Sequence, residues 1–86
     1  MSNTLTDEHI LNLVREAVTE VAPARSAALE KLTLELNIRD LEMDSVETME
    51  MIGVIEEELG IVFGDEQLAQ VVKFSDLAEL MRRAVS

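Results

Sequence analysis

Residues 44–60 read DSVETMEMIGVIEEELG, and this stretch specifies a helix together with both of its ends. Asp44 is a favourable N-cap residue, and Glu47 three positions later supplies the partner of a capping box. Gly60 suits the left-handed backbone that commonly ends a helix. The stretch therefore predicts a helix over residues 45–59, with Ser45 at its first position.

This helix has two different sides when its residues are placed at about 100° intervals. One side is a continuous apolar stripe and is predicted to face the core: Met51, Ile52, Ile55 and Leu59. The other side mixes carboxylates, apolar side chains and a glycine: Val46, Glu47, Met49, Glu50, Gly53, Val54 and Glu57. Glycine costs about 1 kcal/mol relative to alanine inside a helix, so Gly53 suggests close approach of a partner. Apolar residues beside charges predict a docking surface.

The charge of the chain is strongly negative and unevenly distributed. Eighteen acidic and seven basic residues give a net charge of −11, and no Lys, Arg or His occurs between residues 40 and 72. Such a surface repels nucleic acid phosphates and attracts basic protein surfaces. The sequence therefore predicts protein partners with basic patches and excludes a nucleic-acid-binding role.

The rest of the chain predicts an all-α fold, a small four-helix bundle of three longer helices and one short helix. The first helix is expected over residues 7–21, with Thr6 as its N-cap and Pro23 after its end. A short helix over residues 66–71 follows an Asp65 cap, and the last, over residues 76–85, follows a Ser75 cap.

Residues 24–32 have helical propensity, which leaves a short extension of the first helix or a separate turn open. Residues 24–43 as a whole are expected to form a long ordered loop between the first two helices. Leu34, Leu36 and Ile38 alternate with polar residues as in a strand, but a single strand has no visible partner in such a chain. The whole sequence, 1–86, is expected to be a single domain.

Ser45 is the residue with the most distinctive chemical setting. Because Asp44 already caps the helix, the Ser45 hydroxyl is expected to face solvent. A nucleophilic serine needs a nearby base, and the only histidine is His9, which is expected to be an ordinary surface residue. No catalytic residue is therefore predicted, and Ser45 is better suited to modification by another protein.

No metal site, disulfide or membrane segment is predicted. Asp40 and Asp44 have the spacing of a calcium loop, but Ser45 and Met51 occupy the positions that need glycine and glutamate. The chain has no cysteine and no apolar run long enough to span a bilayer. A soluble, cytoplasmic monomer without membrane contact is expected.

Residues 41–46, LEMDSV, resemble the L-G-x-D-S-L signature of the acyl carrier protein family. The resemblance continues through residues 47–50, 55–61, 65–66 and 74–77. It implies that Ser45 carries 4′-phosphopantetheine, which a Mg²⁺-dependent phosphopantetheinyl transferase takes from coenzyme A. The thiol of that arm would hold acyl groups as thioesters for fatty-acid, polyketide or other specialised acyl biosynthesis.

The resemblance also implies partners for the mixed side of the helix. Its acidic residues would face basic patches on the transferase and on acyl-processing enzymes (a synthase, acyltransferase or ligase): Asp44, Glu47, Glu50 and Glu57. Val46, Met49 and Val54 would be the apolar contacts among them. An aminoacyl or peptidyl carrier of the same fold, or an unmodified acidic interaction module, are the alternatives.

The chain departs from the family pattern at four positions. Glu42 stands where the family has glycine, and Val46 where it has leucine. Gly53 weakens the middle of the recognition helix, and Gly64 occurs where proline is common. With these departures, a specialised carrier in a dedicated or secondary pathway is at least as well supported as a standard partner of fatty-acid synthesis.

Overall fold

The computed structural model describes residues 5–85; residues 1–4 and 86 lie outside the described part of the expected domain. Four α-helices follow one another: α1 (Asp7–Val21), α2 (Ser45–Leu59), α3 (Asp65–Ala69) and α4 (Phe74–Val85). Two 3₁₀ helices, Pro23–Lys31 and Ile38–Leu41, lie between α1 and α2. No β-strand occurs among residues 5–85, and the predicted all-α bundle is confirmed.

The two longest helices have the predicted bounds because local side chains define their ends. At α1, the Thr6 hydroxyl oxygen accepts a hydrogen bond from the His9 backbone N–H at 3.1 Å. At α2, Asp44 Oδ1 accepts the Glu47 N–H at 2.7 Å, and Glu47 Oε1 accepts the Asp44 N–H at 3.1 Å. Gly60 ends α2 with φ of 66°. The capping box and the glycine stop are both confirmed.

The predicted starts of the last two helices are wrong. The N-cap of α3 is Gly64, whose N–H donates to the side-chain oxygen of Gln67 at 3.1 Å, and the helix ends at Ala69. Helix α4 begins at Phe74, so Ser75 lies inside its first turn.

Asp76 provides the polar partner at the start of α4 that the sequence analysis assigned to Ser75. Its Oδ2 accepts the Lys73 N–H at 2.9 Å and the Val72 N–H at 3.0 Å. The backbone hydrogen bond from Lys73, followed by that from Val72, favours the charged carboxylate and lowers the pKa of Asp76.

The segment between α1 and α2 is more structured than predicted. The segment contains the two 3₁₀ helices. In addition, the backbone of residues 34–38 pairs with that of residues 72–75, later in the chain. Asn37 and Lys73 form an isolated antiparallel bridge. The Ile38 N–H donates to the Val72 carbonyl at 2.9 Å, and the Phe74 N–H donates to the Leu36 carbonyl at 3.0 Å. The strand-like alternation therefore reflects real pairing, although it is too short to count as a strand.

One apolar core holds these elements together. Helix α1 packs against α2, and the completely buried side chains include Ile10 of α1, Ile55 of α2 and Leu77 of α4. Leu41, at the end of the second 3₁₀ helix, is also buried, with 1% of its surface exposed. The core therefore fixes the second 3₁₀ helix beside the start of α2.

Glu42, in the turn before α2, has an unfavourable backbone conformation. It is the only non-glycine residue among residues 5–85 with a positive φ, at 59°. This left-handed conformation costs an L-residue about 1–2 kcal/mol. The position is the one where the resemblance calls for glycine, which adopts this conformation without steric cost.

We expect Glu42→Gly to raise the free energy of unfolding by about 0.5–1 kcal/mol, since the greater entropy of unfolded glycine offsets part of the relief. Urea unfolding followed by far-UV circular dichroism measures the change. Glu42→Ala is the control, because it removes the carboxylate but keeps a side chain in the left-handed conformation. Equal stabilisation by both variants would attribute the effect to charge and contradict the strain argument.

Candidate functional site

Ser45 presents an available hydroxyl at the first position of α2. The residue is exposed, and its Oγ makes no hydrogen bond to any part of residues 5–85. The hydroxyl of Thr48, one turn later, instead donates to the Asp44 carbonyl at 2.9 Å. Asp44 caps the helix and the Thr48 hydroxyl is already hydrogen-bonded. The Ser45 hydroxyl therefore has no structural hydrogen bond that modification would break.

An apolar cleft lies directly beside Ser45. It has a volume of about 560 Å³, within the range of pockets that hold small organic ligands. The second 3₁₀ helix, α2, α3 and the residues after α3 form its walls. The lining residues are Ile38, Arg39, Met43, Ser45, Thr48, Met49, Ile52, Leu68, Val71 and Val72.

Most of the predicted docking side of α2 is exposed. Val46 and Met49 expose 65% and 60% of their surfaces, which is unusual for large apolar side chains. Glu50, Gly53 and Glu57 are also exposed.

Val54 and Glu47 differ from the other residues of that side. Val54 is half-buried and packs against the core, so less of it is free for a partner than the helical wheel suggested. Glu47 is half-buried, and its carboxylate is engaged in the capping box. Their docking roles stay predictions, with a smaller free surface than expected.

Gly53 is not required by packing within the chain. A Cβ atom placed on Gly53 would have no neighbour within 4 Å. Packing within residues 5–85 therefore gives no reason for a glycine at this position, and its link to docking stays a prediction.

The acidic residues of α2 fall into two groups. Glu56 is structural, since its Oε2 accepts the Phe63 backbone N–H at 2.7 Å. Glu50 and Glu57 make no hydrogen bond or ion pair with any described residue. The ion pairs Lys73–Glu35, Arg82–Asp7 and Arg83–Glu79 all lie outside α2. The exposed charges of Glu50 and Glu57 are thus free to attract an external cation.

His9 is exposed in the first turn of α1 and belongs to no cluster with Ser45. Residues 5–85 contain no group of three or more His, Asp or Glu side chains that could hold a metal ion. None of the helices in this range combines the length and apolar character needed to cross a bilayer.

The sequence analysis missed the cleft and eight of the ten residues that line it. Four of these eight are Arg39, Leu68, Val71 and Val72. Arg39 is the last basic residue before the acidic stretch, so its proximity to Ser45 in the chain was a usable signal. The other three lie in and after α3, and their position depends on how α3 packs beside α2. No local pattern reports that packing.

A family model described as "Phosphopantetheine attachment site" matches residues 12–81 of the chain. The match includes Ser45, the whole of α2 and α3, and every residue that lines the cleft. No curated protein and no solved structure shows a significant match to the chain.

Proposed function

The chain belongs to the phosphopantetheine attachment site family, and from this premise we propose that it is an acyl carrier protein modified on Ser45. The proposal rests on the Ser45 hydroxyl, which is exposed at the start of α2 beside an apolar cleft. This hydroxyl makes no hydrogen bond within residues 5–85. The protein is proposed to be non-catalytic, a substrate for its transferase and then a carrier between enzymes.

The exposed Ser45 hydroxyl is the group on which 4′-phosphopantetheine would be attached. Attachment joins the Ser45 Oγ to the phosphorus of the 4′-phosphate, breaks the pyrophosphate bond of coenzyme A and releases its nucleotide half. The hydroxyl proton has to leave, and the neighbouring carboxylates are weak bases for an alcohol. The base is therefore expected on the transferase. Once attached, the group supplies a thiol that holds cargo as a thioester.

The apolar lining of the cleft supports acyl cargo. Side chains such as Met43, Ile52 and Val71 offer apolar surface, and covering such surface is worth about 25 cal/mol per Å². An aminoacyl group carries an ammonium ion, which would gain nothing from these side chains. The acyl reading is therefore preferred over an aminoacyl or peptidyl carrier.

The exposed side of α2 supports docking to enzymes with basic patches. Glu50 and Glu57 have no partner within residues 5–85, and Val46 and Met49 add exposed apolar surface on the same helix. A carrier must bind several enzymes and leave each of them. Charge attraction suits this role, because it raises association rates and acts over only about 8 Å at physiological salt.

The test of the proposed function is an intact-mass measurement. The purified chain is incubated with coenzyme A, Mg²⁺ and a broad-specificity phosphopantetheinyl transferase. We expect the mass to increase by one phosphopantetheinyl group. An unchanged mass, with a known carrier modified in the same mixture, would favour the unmodified interaction module.

We expect Glu50→Lys to slow modification by about 3- to 10-fold at low salt, because loss of steering charge at an interface lowers the association rate. The melting temperature should change little, since Glu50 is exposed and its carboxylate makes no hydrogen bond or ion pair within residues 5–85. The measurement is the rate of mass conversion at a transferase concentration below saturation.

Glu20→Lys is the matched control, because it makes the same charge change at an exposed position on α1. Equal slowing by the two variants would show that net charge, and not a docking side of α2, governs the encounter. Raising the salt concentration should reduce the difference between Glu50→Lys and the wild type.

A further inference from the structure

We propose that Arg39 binds the phosphodiester that links the arm to Ser45 and thereby directs the arm along the apolar cleft. This inference rests on the proposed function, since it needs the phosphate to be attached at Ser45. The juxtaposition that carries it is simple: Arg39 and Ser45 line the same cleft, and Arg39 is the only cationic side chain among the residues that line it.

The local charge makes a cation at this position significant. No Lys, Arg or His occurs from residue 40 to residue 72. The next basic residue, Lys73, is already paired with Glu35 at 3.4 Å. Within this acidic environment Arg39 is the one cation that shares a cleft with the modified serine.

The Arg39 side chain is available while its backbone is held. Its guanidinium makes no hydrogen bond or ion pair with residues 5–85, whereas that of Arg15 donates to Asn12 at 2.8 Å. The Arg39 carbonyl accepts the Glu42 N–H at 2.9 Å, and the Ile38 N–H donates to Val72 at 2.9 Å. Because the Arg39 backbone is held in place and its guanidinium has no partner within residues 5–85, the guanidinium is available to bind an external anion.

The phosphodiester is the anion that the proposed attachment would place at Ser45. It is bonded to Ser45 and brings a negative charge next to Asp44 and Glu47, whose carboxylates already occupy the start of α2. Repulsion from these carboxylates opposes the favourable field of the α2 N-terminus, and a nearby cation would offset that repulsion. A guanidinium suits this task because its planar set of donors can bind two phosphate oxygens at once.

The test compares apo and holo forms of three proteins: the wild type, Arg39→Gln and Arg15→Gln. Arg15→Gln is the matched control, since it loses the same charge on α1, away from the cleft residues. Modification is taken to completion and verified by mass before melting. An exposed charge pair corresponds to a melting shift of a few degrees in a protein of this size.

We expect conversion from apo to holo to lower the melting temperature of Arg39→Gln by about 2–4 °C more than that of the wild type or Arg15→Gln. The difference should vanish in about 1 M salt, where the screening length falls to about 3 Å. The ³¹P resonance of the phosphodiester should shift in Arg39→Gln and stay unchanged in Arg15→Gln.

Equal apo-to-holo changes in all three proteins, with an unmoved ³¹P resonance, would overturn the assignment of Arg39 while leaving the carrier function intact. A difference that develops only when the arm bears a carboxylated acyl group would also overturn it, since Arg39 would then bind cargo. Failure of the wild type to accept the arm would overturn the proposed function and this inference together.

Discussion

We expect the intact mass of Ser45→Ala to stay unchanged on incubation with coenzyme A, Mg²⁺ and transferase, under conditions that convert the wild type completely. The reason is chemical: alanine has no oxygen with which to form the phosphodiester. The effect is all or none, because no other residue of the cleft combines an exposed hydroxyl with a position at the start of α2. Thr48 lines the same cleft, but its hydroxyl donates to the Asp44 carbonyl.

Ser45→Ala should keep the stability of the wild type, so its loss of modification would not be due to unfolding. Ser45 is exposed and its hydroxyl makes no hydrogen bond within residues 5–85, so we expect a change within about 0.5 kcal/mol in unfolding free energy. Ser26→Ala is the control for serine loss, since the Ser26 hydroxyl donates to the Pro23 carbonyl in the first 3₁₀ helix. Ser26→Ala should be modified like the wild type. A mass increase in Ser45→Ala would move the attachment site to another residue.

The parts of the fold that could be predicted from sequence are those whose determinants lie close together in the chain. Helix α2 begins with a capping box between Asp44 and Glu47 and ends at Gly60, all within one short stretch. Helix α1 is capped by Thr6 and ends before Pro23 in the same way. Such ends are set by local hydrogen bonds and backbone restrictions, so a single sequence is enough to place them.

The start of α3 was misplaced although its determinants, Gly64 and Gln67, are close in the chain. Other errors occurred where distant segments meet. The pairing of residues 34–38 with residues 72–75 joins parts of the chain nearly forty positions apart. Apolar residues at Leu34, Leu36 and Ile38 alternate with polar ones as in a strand. This alternation did not identify the segment with which the strand-like residues pair. The start of α4 was misplaced for a related reason, because the helix begins at Phe74, whose N–H donates to the distant Leu36 carbonyl.

The functional site likewise has features that follow from local sequence and features that depend on tertiary packing. The exposed side of α2 follows from the helical period, and Val46, Met49, Glu50 and Glu57 are exposed as expected. Val54 lies at the border of that side, where packing of the neighbouring elements decides its burial. The cleft requires the relative placement of the second 3₁₀ helix, α2 and α3, which is a tertiary property.

Phe74 lies at the junction of these distant segments, and we expect Phe74→Ala to cause the largest loss of stability among the variants considered. The side chain is completely buried, and the Phe74 N–H donates to the Leu36 carbonyl at 3.0 Å. Truncating a buried phenylalanine to alanine costs about 3–5 kcal/mol. Domains have total stabilities of about 0.05–0.15 kcal/mol per residue, so this loss removes a large part of what a small protein has.

We expect the melting temperature of Phe74→Ala to fall by more than about 12 °C. Far-UV circular dichroism is the suitable probe, because the chain contains no tryptophan or tyrosine. Val72→Ala is the control two residues earlier, where the side chain is 56% exposed, and it should change the unfolding free energy by no more than about 0.5 kcal/mol. Phe74→Leu should lose less than about 1.5 kcal/mol, since it keeps most of the buried volume. Comparable losses in Val72→Ala and Phe74→Ala would mean that the link between α3 and α4, and not the buried ring, holds the two halves of the chain together.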